Sequence, residues 1–524
     1  MGLKFNINPL LRISSTSHKT KVVPVTSNKV KKLTLTNKKI LQALGSRYET
    51  DSKITKIEYH SYTPYTTSFN NNDEIRISIQ QTDVYPYLHE SFIFLEGMFS
   101  EPDKVKLSNN GYSYFFEQIR LEMNGIEIDS TRVLGITSSL KGYLSGTPDN
   151  YNCYENSGWN FKNATQSAND KGEFSACIPL KYWLGFFEDY RKILVNSRLE
   201  LILTRSHSDL NALRLKSGIN TTTAKVTLNK IVWKVPHITV DDGERLKLLK
   251  LVEKEKSLFI PFRSFETFEY PELGTAKKVV WNLKTASKLE KPRFIIIGLQ
   301  KGRKNTLEKD CSIFDHCNLT NVRVFLNSIA YPYDNLNLDF TKNNFTLLYD
   351  MYTLFQESYY EKSIRNPILS PSTFLSNAPI IVIDTSKQND SATASAVDVQ
   401  LEIEASESLT GVTAYCLLIH DRIVEYVPFT REVRKLVRWT IYMLTPYCVT
   451  RETIPPCDFF FKAVLTCLIY SMRCCVPVSD LNPNVAECRE SDQVLIALVH
   501  LPLLVFGLPY ILWCVSCLRR VVAF

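Results

Sequence analysis

The residues best suited to hold a metal ion lie between positions 310 and 317. Asp310, Cys311, Asp315, His316 and Cys317 bring carboxylate, thiol and imidazole groups together, and Zn²⁺ accepts all three kinds of ligand. No second pair of such residues follows at the spacing of a zinc finger. The pattern therefore favours a turn with buried thiols, with a metal site as the minor alternative.

Catalytic motifs are missing from the sequence, which has no HExxH, no GxSxG and no paired CxxC. Residues 298–304 lack the Gly-Lys-Ser/Thr ending of a phosphate-binding loop and indicate a basic turn after a strand. No nucleophile adjoins His420-Asp421, so a hydrogen-bonded structural histidine is favoured there over a catalytic one. We predict a protein without enzymatic activity, metal or cofactor.

The first 50 residues form a basic arm with ten lysines and arginines and a single acid, Glu49. Its densest part holds Lys29, Lys31, Lys32, Lys38 and Lys39. Such a cluster suits contact with nucleic acid or a nuclear address. A solvated tail explains it equally well, and both interpretations stay open.

Length and composition describe a folded protein with room for two cores. The chain has 524 residues, of which 44% are apolar and 22% charged, with a formal net charge of +8. These values exclude disorder for most of the chain, and the length exceeds that of one ordinary β-sandwich. The start lacks the apolar segment of a secretory signal, so secretion is not expected.

An internal repeat is the main structural feature of the sequence. Five segments with the alternation of β-strands recur in the same order in the second half of the chain. The pairs are 74–79 and 278–283, 92–97 and 294–299, 119–126 and 322–329, 199–203 and 399–403, and 224–233 and 412–419. The first four pairs are 204, 202, 203 and 200 residues apart. This constancy predicts two copies of one strand-rich unit.

Turns, helices and connections complete the prediction. Asn124-Gly125 and Asn327-Ser328 mark hairpins at the same point of each copy. Apolar residues at helical spacing predict a helix over 181–194 and another over 345–360. Residues 142–174 show no periodicity, which predicts a long polar excursion that is exposed or functional. A linker with a short helix is expected between the copies.

The composition changes near residue 431. Residues 431–524 contain one glycine, two lysines and eight of the 13 cysteines, and residues 494–518 carry no Asp, Glu, Lys or Arg. That run is long enough to span a bilayer, although Pro502 and Pro509 weaken a helix there. We favour an added exon or a shifted reading frame, and a membrane segment is the alternative.

Four segments carry a resemblance to a known family. Residues 178–187 resemble the helix-then-strand segment of double jelly-roll major capsid proteins. Residues 260–270, 315–333 and 414–426 look like capsid proteins of Polinton- and adintovirus-like elements, which are integrated viral elements. The resemblance covers roughly residues 30–430. It implies an all-β fold of two tandem eight-stranded jelly-roll sandwiches, with short inserted helices and an apolar C-terminal extension foreign to the family.

The resemblance also implies a function and an order of domains. Homotrimers would form pseudo-hexameric capsomers and then an icosahedral shell, with a minor capsid or penton protein and encapsidated DNA as further partners. The expected location is the virion, assembled in the nucleus or cytoplasm of a host. The predicted domains are the arm (1–50), the first jelly roll (51–240), the linker (241–257), the second jelly roll (258–430) and the extension (431–524).

A second function belongs to another class. A membrane-anchored tandem β-sandwich binding protein would use residues 142–174 for recognition and residues 494–518 as its anchor. It would be secreted, with glycosylated sequons and paired cysteines. The missing signal peptide and the uneven cysteine spacing favour the capsid protein.

Overall fold

A computed structural model describes residues 53–80, 85–161, 168–220, 223–285, 292–387 and 397–436. The predicted arm with its five lysines and the candidate membrane segment 494–518 lie outside the described residues. Within the described ranges, no helix is long and apolar enough to cross a bilayer.

The first half of the chain forms a sandwich of two antiparallel sheets. Its strands are β1 (Ile54–Tyr62), β2 (Glu74–Ile79), β3 (Tyr85–Pro86), β4 (Phe92–Phe99), β5 (Val105–Leu107), β6 (Phe116–Met123), β7 (Ile126–Arg132), β8 (Glu173–Pro179), β9 (Leu199–Arg205), β10 (Leu213–Leu215) and β11 (Val226–Val240). One sheet has the order β1-β11-β4-β8 and the other β2-β9-β6-β7. The short β3 pairs with β11, and β5 pairs with β10.

The second half repeats this arrangement. Its strands are β12 (Leu258–Tyr270), β13 (Lys278–Leu283), β14 (Pro292–Lys301), β15 (Leu319–Leu326), β16 (Ile329–Tyr331), β17 (Ile381–Asp384), β18 (Val399–Ala405), β19 (Val412–Val427) and β20 (Glu432–Leu436). The sheets have the orders β12-β19-β14-β17 and β13-β18-β15-β16, and β20 pairs with β19. Residues 432–436, which the sequence assigned to the extension, therefore belong to this sandwich.

Both halves have the strand order of a jelly roll. When the eight main strands of each half are counted along the chain, the sheets read 1-8-3-6 and 2-7-4-5 in both. The five repeated segment pairs fall on strands 2, 3, 4, 7 and 8 of each half. The predicted fold class and the predicted duplication are confirmed.

Local chemistry explains why these segments form strands and hairpins. In β2, Ile75 and Ile77 are fully buried while the residues between them face outward, as a half-buried strand requires. The turn between β6 and β7 has positive φ at both Asn124 and Gly125, and the turn between β15 and β16 repeats this at Asn327 and Ser328. Tight hairpins favour such a pair of left-handed residues.

Within the part of the chain that the structure describes, six α-helices connect or cover the sheets. They are α1 (Leu134–Ser145), α2 (Tyr151–Asn156), α3 (Gly185–Asp189), α4 (Asp242–Glu253), α5 (Thr346–Tyr360) and α6 (Pro371–Asn377). The predicted helix over 345–360 is confirmed by α5. Helix α4 confirms the predicted short helix between the copies, and the side chain of Asp241 caps it by accepting the backbone N–H of Glu244 at 2.9 Å.

The helix predicted over 181–194 is wrong in its extent. Only Gly185–Asp189 is α-helical, after a 3-10 turn at Leu180–Tyr182. Leu184 and Tyr190 have extended backbone angles on either side. The apolar spacing that suggested a longer helix arises because an irregular segment inserts its aromatic side chains into the core, where Phe186 and Phe187 are fully buried.

The excursion predicted over 142–174 is only partly exposed among the residues that the structure describes, because exposed positions such as Asp149 and Glu155 alternate with buried ones. Gly142 belongs to α1, where it packs closely against the Trp159 indole ring, and Trp159 is only 2% exposed. Tyr154 is buried as well. Helix α1 itself escaped prediction because nearly all its residues are buried, and a helix buried on every side shows no amphipathic period.

Candidate functional site at the junction of the two sandwiches

Helices and strands from both halves meet in a continuous core. Helix α3 and strand β7 of the first sandwich lie against β12 of the second, and α1 lies against α5. The rings of Phe186 and Phe262 meet edge to face, with centroids 5.3 Å apart. The buried apolar residues of both sandwiches form a single cluster. The two sandwiches are therefore joined by packing as well as by the linker.

Helix α5 satisfies backbone carbonyls at the end of α1. The Tyr352 hydroxyl donates to the carbonyl oxygen of Tyr143 at 2.9 Å. The Gln356 amide donates to the carbonyl oxygen of Gly146 at 2.9 Å. The last carbonyls of a helix have no partner within it, so these bonds across the junction remove a desolvation penalty that α1 would otherwise carry.

Asp129 on β7 is fully buried and links three segments. One carboxylate oxygen accepts the Phe186 N–H and the other accepts the Ser264 hydroxyl, both at 2.9 Å. Burial raises the pKa of Asp129 to about 6, although the charge of Arg422 and the hydrogen bonds act in the opposite direction.

This raised pKa predicts a pH response. The ordinary value is 3.8, so between that pH and about 6 the folded protein holds a proton that the unfolded chain releases. Protonation of Asp129 alone should raise the free energy of unfolding by about 1 kcal/mol as the pH falls from 7 to 5. Asp129→Asn keeps the shape and should remove that gain. Urea unfolding of the native chain and the variant at pH 7 and pH 5 measures the gain. If both proteins gained the same free energy of unfolding, the gain would not come from Asp129.

A second polar contact across the junction joins Arg263 of β12 to Asp189 of α3. The Arg263 backbone N–H and Nε both donate to Asp189 Oδ2 at 2.8 Å, and Nη2 donates to Oδ1. The guanidinium also lies 3.5 Å from the centre of the Tyr359 ring. Burial opposes the charge of Arg263, but the Asp189 carboxylate outweighs burial and raises its pKa.

A third contact surrounds the buried pair Lys141 and Glu188. Lys141 Nζ donates to Glu188 Oε1 at 3.0 Å and to the Tyr360 hydroxyl at 2.9 Å. The hydroxyls of Tyr359 and Tyr360 each donate to a Glu188 oxygen at 2.7 Å. Burial acts to raise the pKa of Glu188, but Lys141, Arg263 and these hydroxyls together lower it.

These contacts are suited to fixing one part of the protein relative to another. Each charged group of the junction is held by several directed hydrogen bonds, which specify position and angle. Desolvation offsets much of the attraction within a buried ion pair, so such pairs are weak evidence for added stability. The arrangement therefore connects the two sandwiches by directed polar contacts as well as by apolar packing.

Two of the candidate metal ligands, Cys311 and Asp315, form hydrogen bonds within the protein. The Cys311 thiol donates to the carbonyl oxygen of Arg303 at 2.8 Å, and burial raises its pKa to about 12, which opposes the thiolate that zinc requires. Asp315 binds the Arg303 guanidinium through both oxygens. Among the described residues, no three His, Cys, Asp or Glu side chains are placed to hold a metal ion.

His420 and Asp421 make separate contacts on β19. His420 is 2% exposed, and burial, helped by the charge of Arg422, lowers its pKa to about 3. Asp421 binds Arg293 at 2.9 Å. A structural role for the buried His420 stays a prediction.

Sequence reasoning did not single out the junction residues. Asp129, Lys141, Glu188, Asp189 and Arg263 belong to no motif and lie up to 134 positions apart. The available signal was the density of aromatic residues around 182–190, which indicates a large buried contact without identifying its partner.

Comparison with known proteins gives one family and a set of similar folds. A model of the double jelly roll-like domain matches residues 105–424. The Sputnik virophage structure aligns with a TM-score of 0.54 at 10% identity, over 86% of this chain and 100% of that one. PBCV-1 VP54, fitted into a reconstruction of the virophage Sputnik, aligns with a TM-score of 0.50 at 11% identity, over 75% and 99%. No curated protein matches in sequence. At such identities the likeness concerns the fold alone.

Proposed function

The chain belongs to the double jelly roll-like domain family, and on this basis we propose that it is a viral major capsid protein that associates with itself into a shell. The observation that carries the proposal is the repeated 1-8-3-6 and 2-7-4-5 strand order, in two sandwiches held together by a buried polar junction. A shell subunit must keep its shape while it makes contacts on several sides. The proposed role is structural, without catalysis or a cofactor.

The proposed capsomer is a homotrimer. Three subunits with two similar sandwiches each produce a six-cornered object from threefold symmetry, and such an object tiles a hexagonal lattice. Capsomers would then close into an icosahedral shell with a minor capsid or penton protein. The proposed location is the virion, after assembly in the nucleus or cytoplasm of a host.

Native mass spectrometry and negative-stain imaging of the purified full chain test this proposal. The expected result is a particle of three times the chain mass with a hexagonal outline. A well-folded monomer at high protein concentration would overturn it. A chain that ends after Leu436 is the companion sample, because β20 completes the second sandwich.

The same preparations test two finer proposals. Lys29, Lys31, Lys32, Lys38 and Lys39 are proposed to face the interior of the shell and bind encapsidated DNA, so glutamine at all five should reduce the DNA retained by assembled particles. The residues beyond 436 are proposed to be an addition to an integrated viral gene of the Polinton or adintovirus type, with a membrane segment at 494–518 as the alternative. Better assembly of the shortened chain would support an addition, and assembly lost on shortening would refute it.

A further inference from the structure

A cavity of about 320 Å³ opens beside the junction. The first sandwich contributes most of its lining, including Lys141, Lys181 and Arg191, and the second contributes Tyr360 and Lys362. Both sandwiches therefore meet in this cavity, which we name the junction pocket. Its volume is at the lower end of the range of small-molecule sites.

The junction pocket carries an excess of positive charge. Among the described residues that line it, Glu188 is the only acid, and the hydrogen bonds of Lys141 and two tyrosines occupy that carboxylate. Within the described ranges, Lys181, Arg191 and Lys362 form no ion pair. Among the described residues, these three cations therefore line the pocket without an ion-pair partner.

The basic side chains of the pocket share neighbours. Lys141 and Lys362 both have Nζ 5.2 Å from the centre of the Tyr360 ring. Burial lowers the pKa of His89, and the charges of Lys181 and Arg191 act in the same direction, while a hydrogen bond with the Phe187 carbonyl and the charge of Glu90 oppose them. Cations gathered in a concave site concentrate the positive potential there.

We propose that the junction pocket binds a compact anion carrying two or more phosphate groups, which bridges the first sandwich to the second. Arg191 offers the planar donor fork that matches phosphate oxygens, and Lys181 of the first sandwich and Lys362 of the second add point charges. Ser145 and Asn150 also line the pocket and can donate hydrogen bonds. A nucleotide and an inorganic polyphosphate share this chemistry. The inference does not depend on shell assembly.

Isothermal titration of the full chain with sodium tripolyphosphate at constant ionic strength tests the proposal. The expected result is saturable binding of one anion per chain. Lys181→Gln combined with Arg191→Gln should weaken it at least tenfold. The matched control is Lys250→Gln with Lys256→Gln, which removes the same charge from exposed positions near the linker and should leave the affinity unchanged. Circular dichroism verifies that every variant is folded.

A second titration, with ATP, distinguishes the sources. Equal affinity for ATP and tripolyphosphate would assign recognition to the phosphate chain, and at least tenfold tighter binding of ATP would assign a nucleotide. The proposal is overturned if tripolyphosphate does not saturate, if the pocket variant binds as tightly as the native chain, or if the control variant weakens binding equally. A single-stranded oligonucleotide that binds the pocket in place of both compounds would also overturn it.

Discussion

A chain carrying Gly185→Ala is expected to lose more than about 4 kcal/mol of its free energy of unfolding, or to fail to fold. A Cβ at position 185 would overlap the backbone carbonyl oxygen of Arg263. That carbonyl belongs to β12, which is paired along its whole length with β19. A backbone atom inside a sheet cannot turn aside as a flexible side chain can, so the second sandwich must move away from α3.

Thermal unfolding followed by circular dichroism, together with native mass, measures this effect. Gly243→Ala is the matched control, because its Cβ would meet only the Asp241 carboxylate at an ordinary distance, 3.4 Å. Gly243 lies in the helix α4, where alanine is favoured over glycine by up to about 1 kcal/mol. The control should therefore be neutral or slightly stabilising. A Gly185→Ala protein with native stability and native mass would contradict the prediction, because it would show that the junction accommodates a Cβ at position 185.

Glu188→Ala is expected to reduce the free energy of unfolding by about 3–5 kcal/mol. The change leaves Lys141, with a side chain only 3% exposed, without its counter-charge. It also removes the acceptor of the Tyr359 and Tyr360 hydroxyls. An unpaired buried charge is the largest part of this loss, because the pair itself contributes little net stability.

Two variants separate these contributions in denaturant unfolding. Lys141→Met combined with Glu188→Gln removes both charges and should be less destabilised than Glu188→Ala alone. Glu96→Ala removes a carboxylate from an exposed pair with Lys230 and should change the midpoint little. If the double variant were as unstable as Glu188→Ala, the loss would come from packing and the assigned role of the charge would be wrong.

Both predictions concern how firmly the two sandwiches are held together at the junction. Gly185 allows the backbones of the two sandwiches to approach. The Lys141–Glu188 pair of the first sandwich is hydrogen-bonded to the Tyr359 and Tyr360 hydroxyls of the second. A capsomer built from rigid two-sandwich subunits would depend on both features. A subunit with an intact fold but a loose junction should therefore lose regular assembly before it loses its strands.

The sequence alone determined five strands of each copy, their duplication and the hairpins. Alternation along β2 and β13 is a local property, since each side chain faces the core or the solvent according to its position in the strand. The near-constant distance between repeated segments revealed two copies, and Asn124-Gly125 identified a hairpin because few residues accept a left-handed backbone. The family resemblance supplied the jelly-roll fold, and the strand order came from the structure.

Only the tertiary structure decided where the two sandwiches touch and what holds them. Helix α1 gave no sequence signal because it is enclosed by protein on all sides. Asp129 and Ser264, or Glu188 and Tyr359, are far apart in the chain, and no local pattern encodes such a pairing. A buried charge becomes recognisable only when its counter-charge is brought beside it, since the desolvation that defines its role does not exist before the chain has folded.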